Sequence, residues 1–180
     1  MDAEYIPVYT IGHSTRSLEE LIHILDEFGI EAVVDVRRFP RSRKFPHFNG
    51  ENLKEALEKR GIDYLWLGDT LGGMRKARKY KGQPWSGYRE HMETEEFKKG
   101  IEELIKTALK KKTAILCAEK LYFRCHRLLI SEKLVEMGAR VIHIIDPGRT
   151  YEHRLREKGT SLFPDHEPQS KLHEGGSKTL

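Results

Sequence analysis

Five short runs rich in β-branched and aromatic residues, separated by segments of helical periodicity, constrain this chain more than anything else in it. The runs are Tyr5–Ile11, Ala32–Val36, Ile62–Leu67, Thr113–Ala118 and Arg140–Ile145. Nearly continuous apolar character, broken in Ala32–Val36 only by Asp35, is the mark of strands covered on both faces. Between them, Ser17 with Glu20 forms a capping box ahead of the face Leu18, Leu21, Ile22, Leu25 and Phe28, and Gly29 is the stop. Asn49 is placed to cap a second helix running through Arg60, with Leu53, Ala56 and Leu57 inward and Gly61 as its stop. Thr94 caps a third with the face Phe97, Ile101, Leu104, Ile105 and Ala108, and a fourth runs from about Arg124 to Met137. Strands alternating with helices need right-handed crossovers, so the pattern predicts an α/β fold. Its form is a mainly parallel five-stranded sheet with helices on both faces, a Rossmann-like three-layer sandwich whose strand order the pattern leaves open.

A chain of 180 residues suffices for one core. Residues 1–158 are read as a single domain, in which Pro147 and Gly148 close the regular pattern and a short helix spans about Tyr151 to Lys158. Residues 159–180, rich in Gly, Ser, Pro and Lys, are expected to be a mobile tail. The longest apolar runs are far too short for a membrane span and the N-terminus lacks a signal-peptide pattern, so a cytoplasmic protein with no membrane partner is expected. Two cysteines, Cys117 and Cys125, make no disulfide framework and are expected to be reduced. Charged residues reach 33% while only Asn49, Asn52, Gln83 and Gln169 carry side-chain amides, a balance like that of heat-adapted proteins, where intracellular disulfides do occur.

The formal charge of +4 is unevenly placed. Arg37, Arg38, Arg41, Arg43 and Lys44 follow the second run without an intervening acid. Arg75, Lys76, Arg78, Lys79, Lys81 and Arg89 do the same in a loop of roughly 25 residues beyond Leu67, a length that in compact domains goes with function or disorder. The loop's aromatic residues Tyr80, Trp85 and Tyr88 argue against disorder. Arginine forks grip phosphate and aromatic rings stack on bases, so these loops point to a nucleic-acid partner.

Ligands of open α/β sheets sit beyond the carboxyl ends of the strands. Those positions here hold His13 and Ser14, then Asp35, Arg37 and Arg38, then Asp69, Gly72 and Gly73, then Cys117, Glu119, Lys120, Cys125, His126 and Arg127. Tyr9-Thr10-Ile11-Gly12-His13-Ser14, Val34-Asp35-Val36-Arg37 with Phe39-Pro40 and Ser42-Arg43, Phe48-Asn49, Leu71-Gly72-Gly73, Cys117-Ala118-Glu119 and Arg124-Cys125-His126-Arg127 resemble the widespread microbial family called domain of unknown function 488. The resemblance spans roughly residues 5 to 145. It implies the α/β fold and shared site positions at His13, Asp35, Arg37, Glu119 and Cys125 to Arg127, but no substrate.

The expected activity is nucleic-acid processing, on damaged DNA rather than RNA, by an abasic-site lyase or N-glycosidase. Glu119 would transfer protons and Lys120 would attack the sugar, with His13, Asp35, Cys117 and His126 as further catalytic candidates. Phosphate and base contacts are expected from Ser14, Arg37, Arg38, Arg43, Lys44, Arg75, Arg78, Trp85, Tyr88, Cys125 and Arg127. A phosphoester hydrolase using Cys117 or Cys125, and a non-catalytic nucleic-acid-binding module, are the alternatives. Neither a Cys-x-x-Cys nor a His-x-x-x-His spacing occurs among these residues, so neither a metal nor another cofactor is expected. His143, inside the fifth run, is read as a hydrogen-bonded core histidine.

Overall fold

The computed structural model describes residues 5–79, 81–82 and 85–155. The expected tail, Tyr80, and the end of the helix expected at 151–158 lie outside the described residues.

Five strands run parallel: β1 (Pro7–Gly12), β2 (Ala32–Asp35), β3 (Asp63–Trp66), β4 (Thr113–Cys117) and β5 (Arg140–Asp146). A sixth, β6 (Arg149–Glu152), pairs antiparallel with β5 in place of the expected helix, and the order across the sheet is β3-β2-β4-β1-β5-β6. Pro147 and Gly148 make the turn between β5 and β6, with Gly148 at φ 71°, a conformation glycine adopts without steric cost. Among the described residues the α-helices are α1 (Leu18–Glu27), α2 (Gly50–Glu58), α3 (Gly68–Leu71), α4 (Ser86–Met92), α5 (Glu95–Lys110) and α6 (Arg127–Glu136). Two of them, α3 and α4, interrupt the long loop after β3.

Successive strand residues face opposite layers. Val34, Ile115 and Cys117 pack against α5 and α6 through Phe97, Ile101, Leu104 and Leu134. Val33, Ala114 and Leu116 pack on the other side against α1 and α2 through Leu21, Leu25, Leu53 and Leu57. Ser17 caps α1 by accepting from the Glu20 N–H at 3.1 Å, and Thr94 caps α5 by accepting from Phe97 N–H at 3.3 Å. Asn49 behaves differently. Its Oδ1 accepts from the Ser42 N–H at 2.7 Å, so the amide ties down the basic loop instead of capping α2.

Strand register levels one edge of the sheet. Gly12 lies opposite Cys117 and Asp35 opposite Leu116, and the ladders continue through His13 N–H to Cys117 O (2.8 Å) and Val36 N–H to Leu116 O (3.0 Å). His13, Arg37 and Glu119 therefore leave the sheet at the same rim.

Candidate active site

A cavity of about 670 Å³ opens at that rim. His13, Arg37, Cys117, Glu119, Cys125 and His126 line its inner part, and Arg38, Arg41, Lys44 and Arg124 bring positive charge to its outer part. Phe39, Phe45, Met74 and Trp85 add apolar wall. Ser14, Met74 and Trp85 have positive φ (51°, 59° and 60°), and they are the only non-glycine residues among those described that do. All three line this cavity, and backbone in that region is sterically costly for side chains other than glycine.

The loop after β4 closes over β1 because Gly12 has no side chain. A Cβ there would meet Glu119 O at 1.8 Å. At the opposite wall, a Cβ on Gly73 would lie 2.9 Å from His126 Nδ1, so Leu71-Gly72-Gly73 lets the long loop approach the histidine.

Two neutral imidazoles enter the cavity. His13 Nδ1 lies 2.9 Å from Ser14 O, which can only accept, so the proton is on Nδ1 and the Nε2 lone pair is left over. The ring stacks on Phe48 at 4.3 Å, and burial pulls its pKa down to about 4. His126 is oriented the same way by a 2.9 Å bond from Nε2–H to Val36 O, and burial lowers its pKa too.

Asp35 and Arg37 form one unit. The carboxylate is fully buried and accepts from Arg37 Nε (2.9 Å), Arg37 Nη2 (2.7 Å), Arg37 N–H (3.1 Å) and the Tyr64 hydroxyl (2.6 Å). Burial opposes the guanidinium charge, but the Asp35 contacts outweigh it and raise the Arg37 pKa. Asp35 therefore does not reach the cavity and is no catalytic group there. It holds Arg37, whose Nη1 is the amino group not used on the carboxylate.

Arg127 is also interior, with no exposed surface. Its Nη2 donates to the carbonyls of Glu119 and Lys120, its Nη1 to Thr10 Oγ1 at 3.1 Å, and its Nε to Cys125 Sγ at 3.3 Å. It organises the loop beneath the cavity, and the expected phosphate contact from Arg127 is corrected accordingly. Lys120 lines the cavity, but its ammonium is ion-paired with Asp146 at 2.9 Å. Glu119 has no ion pair among the described contacts; its Oε1 accepts weakly from the Leu121 N–H at 3.3 Å.

Cys125 Sγ accepts from Arg127 N–H (3.4 Å) and Nε, and lies 3.3 Å from Cys117 Sγ. Burial disfavours a thiolate at Cys125, yet the Cys117 hydrogen bond and the Arg127 charge hold its pKa well below the usual thiol value. Burial and the same sulfur contact push Cys117 up, so of the two sulfurs Cys125 is the more readily ionised.

Other expected contacts fall elsewhere. Tyr88 is buried, its hydroxyl donating to Leu71 O at 2.7 Å, and Arg43 is not on the cavity wall. Arg75 and Arg78 line a neighbouring cavity of about 740 Å³, which shares Arg38 and Met74 with the first. Sequence reasoning misses Asp146, Tyr64, Arg41 and Arg124 as site residues. Of these, Asp146 is within its reach, because it ends the fifth strand as the other site residues end theirs. Among the described residues no cluster of three or more His, Cys, Asp or Glu is arranged to hold a metal ion, and no helix is long and apolar enough to cross a membrane.

Fold and cavity together define a mostly parallel-sheet α/β domain with a cation-rimmed cleft at the carboxyl edge of its parallel strands. The chain belongs to the family described as Domain of unknown function DUF488, whose model matches residues 17–134, from the cap of α1 into α6. The Tyr9 to Ser14 motif lies before that match. No curated protein matches the chain, and no solved structure does.

Proposed function

We propose that this protein is a nucleic-acid-processing enzyme that takes one nucleotide unit of a damaged DNA strand into the cavity and cleaves its N-glycosidic bond. The convergence of Glu119, His13 and Arg37 in one cavity of about 670 Å³, with four cationic side chains around it, carries this reading. That volume lies in the range of small-ligand sites, and chemistry on a base requires it to leave the stack. Arg38, Arg41, Lys44 and Arg124 hold the flanking phosphates, Trp85 and Phe45 offer faces to the base, and Glu119 activates the water that attacks the sugar. The lyase version has less support, since a Schiff-base nucleophile must be a free amine and Lys120 is ion-paired with Asp146.

Cys125 favours a second reading, phosphoester hydrolysis. Its thiolate would attack phosphorus, forming an S–P bond as the P–O ester bond breaks, and water would then release phosphate and restore the sulfur.

End-labelled single- and double-stranded oligonucleotides carrying deaminated, oxidised or abasic positions test both. The glycosidic reading expects base release that is lost in Glu119→Gln and kept in Cys125→Ser, with no adduct trapped by borohydride. The phosphoester reading expects the reverse pattern and inactivation by iodoacetamide. Four phosphate contacts should give a slope of log K against log salt of about −3 on single strands. No turnover on any substrate, together with salt-independent binding, would refute both.

A further inference from the structure

We propose a second activity at the floor of the same cavity: Cys125 and Cys117 form a hydroperoxide-reactive pair that reduces the peroxide and closes to a disulfide. This does not depend on the nucleic-acid reading. Both cysteines line a cavity open to solvent, both are free, and Sγ to Sγ is 3.3 Å. A disulfide needs about 2.05 Å, so the two must close by only about 1.3 Å.

The groups around Cys125 are arranged to keep it ionised. Arg127 can only donate, and a buried chain of polar side chains lies behind it. Arg127 Nη1 donates to Thr10 Oγ1 at 3.1 Å, and Thr10 Oγ1 is hydrogen-bonded to His143 Nδ1 at 2.6 Å. His143 Nε2 lies 2.9 Å from His153 Nδ1, and His153 Nε2 comes within 3.3 Å of the Glu132 carboxylate. The chain reaches from the guanidinium toward the Glu132 carboxylate. It locks Arg127 with Nε on Cys125, while the Arg127 N–H at the start of α6 supplies a second donor to the sulfur. Thr10 and His143 are completely buried, so the arrangement is shielded from competing water.

The reaction balances with one hydroperoxide. The Cys125 thiolate attacks the terminal peroxide oxygen, an S–O bond forms, the O–O bond breaks, and the departing alkoxide or hydroxide takes a proton from water. Sulfur is oxidised by two electrons to the sulfenic acid. Cys117 then attacks that sulfur; the S–S bond forms, the S–O bond breaks, and the thiol hydrogen leaves with hydroxide as water.

Hydrogen peroxide in stoichiometric amount, added to the full chain and followed by intact mass and thiol titration, is the test. The expected product has lost two hydrogens and both free thiols as a monomer, and dithiothreitol reverses the change. Cys117→Ser should instead gain one oxygen, trapped by dimedone at residue 125, and Cys125→Ser should consume peroxide at least about tenfold more slowly. Failure of wild type to lose both thiols at stoichiometric peroxide overturns the proposal. So does over-oxidation without an internal disulfide, and so does undiminished reaction of Cys125→Ser. The wild-type readout needs no variant to fold.

Discussion

Asp35→Asn separates a positioning carboxylate from a catalytic one. Asp35 has no exposed surface and accepts four hydrogen bonds, three of them from Arg37, which is itself only 7% exposed. An amide of the same shape keeps one acceptor oxygen. It turns the other position into a donor facing Arg37 Nη2 and the Tyr64 hydroxyl, and leaves the guanidinium buried without a counter-charge. Breaking a buried pair by removing one partner costs about 3–5 kcal/mol. With a urea m-value of about 2 kcal/mol per molar, the unfolding midpoint should fall by about 2 M. Tyr64→Phe removes one bond to the charged group and should cost about 1.5 kcal/mol, under 1 M. The measurement is equilibrium urea unfolding followed by tryptophan fluorescence and far-UV circular dichroism. A midpoint shift below about 0.5 M for Asp35→Asn would refute the argument, because the carboxylate would then be dispensable to the fold.

The site yields two further outcomes. Burial depresses the His13 pKa from 6.5 to about 4, so the unfolded chain takes up that proton first; the contribution is whole above pH 6.5 and is lost as pH falls through 4, about 3 kcal/mol in all. Urea unfolding between pH 7 and 4 should show this loss, and it should shrink in His13→Gln; an unchanged slope would contradict a buried neutral ring. Arg127→Lys keeps the charge but cannot reach Thr10, Cys125 and two carbonyls together, so the pH midpoint for iodoacetamide alkylation of Cys125 should rise by at least about one unit. An unchanged midpoint would show that the guanidinium does not hold the thiolate.

Local rules make most of the fold legible. Ser17 and Thr94 cap their helices as their spacing predicts, because a cap needs only its own next three residues. Asn49 escapes that rule through a tertiary competitor, the Ser42 N–H. The sixth strand is hidden for a different reason. Pro147 and Gly148 signal a turn but not the kind of element beyond it, and Arg149 to Glu152 form a mostly exposed edge without the buried alternation that marks a strand. His153, next along the chain, is buried against His143, which does hydrogen-bond inside the core as its place in the fifth run suggests.

At the site, residue types are legible and their depths are not. Sequence places Asp35, Arg37, Glu119 and Arg127 at one rim but cannot say which charges pair beneath it. Arg37 is bound to Asp35 and Arg127 is directed at Cys125 and three neighbouring oxygens. Both deep arginines thus serve groups of this chain, and the positive potential available to a phosphate comes from Arg38, Arg41, Lys44 and Arg124 farther out. Substrate charge would therefore be gripped at the mouth while Glu119, His13 and Cys125 face an interior whose own charges are already matched. Such an arrangement suits chemistry on a part of the substrate one unit removed from the phosphates that anchor it, because anchoring and reaction then rely on separate side chains. The separation is measurable: Arg41→Ala should raise KM and flatten its salt dependence while sparing kcat, and a fall in kcat alone would place the phosphate on the floor of the cavity instead.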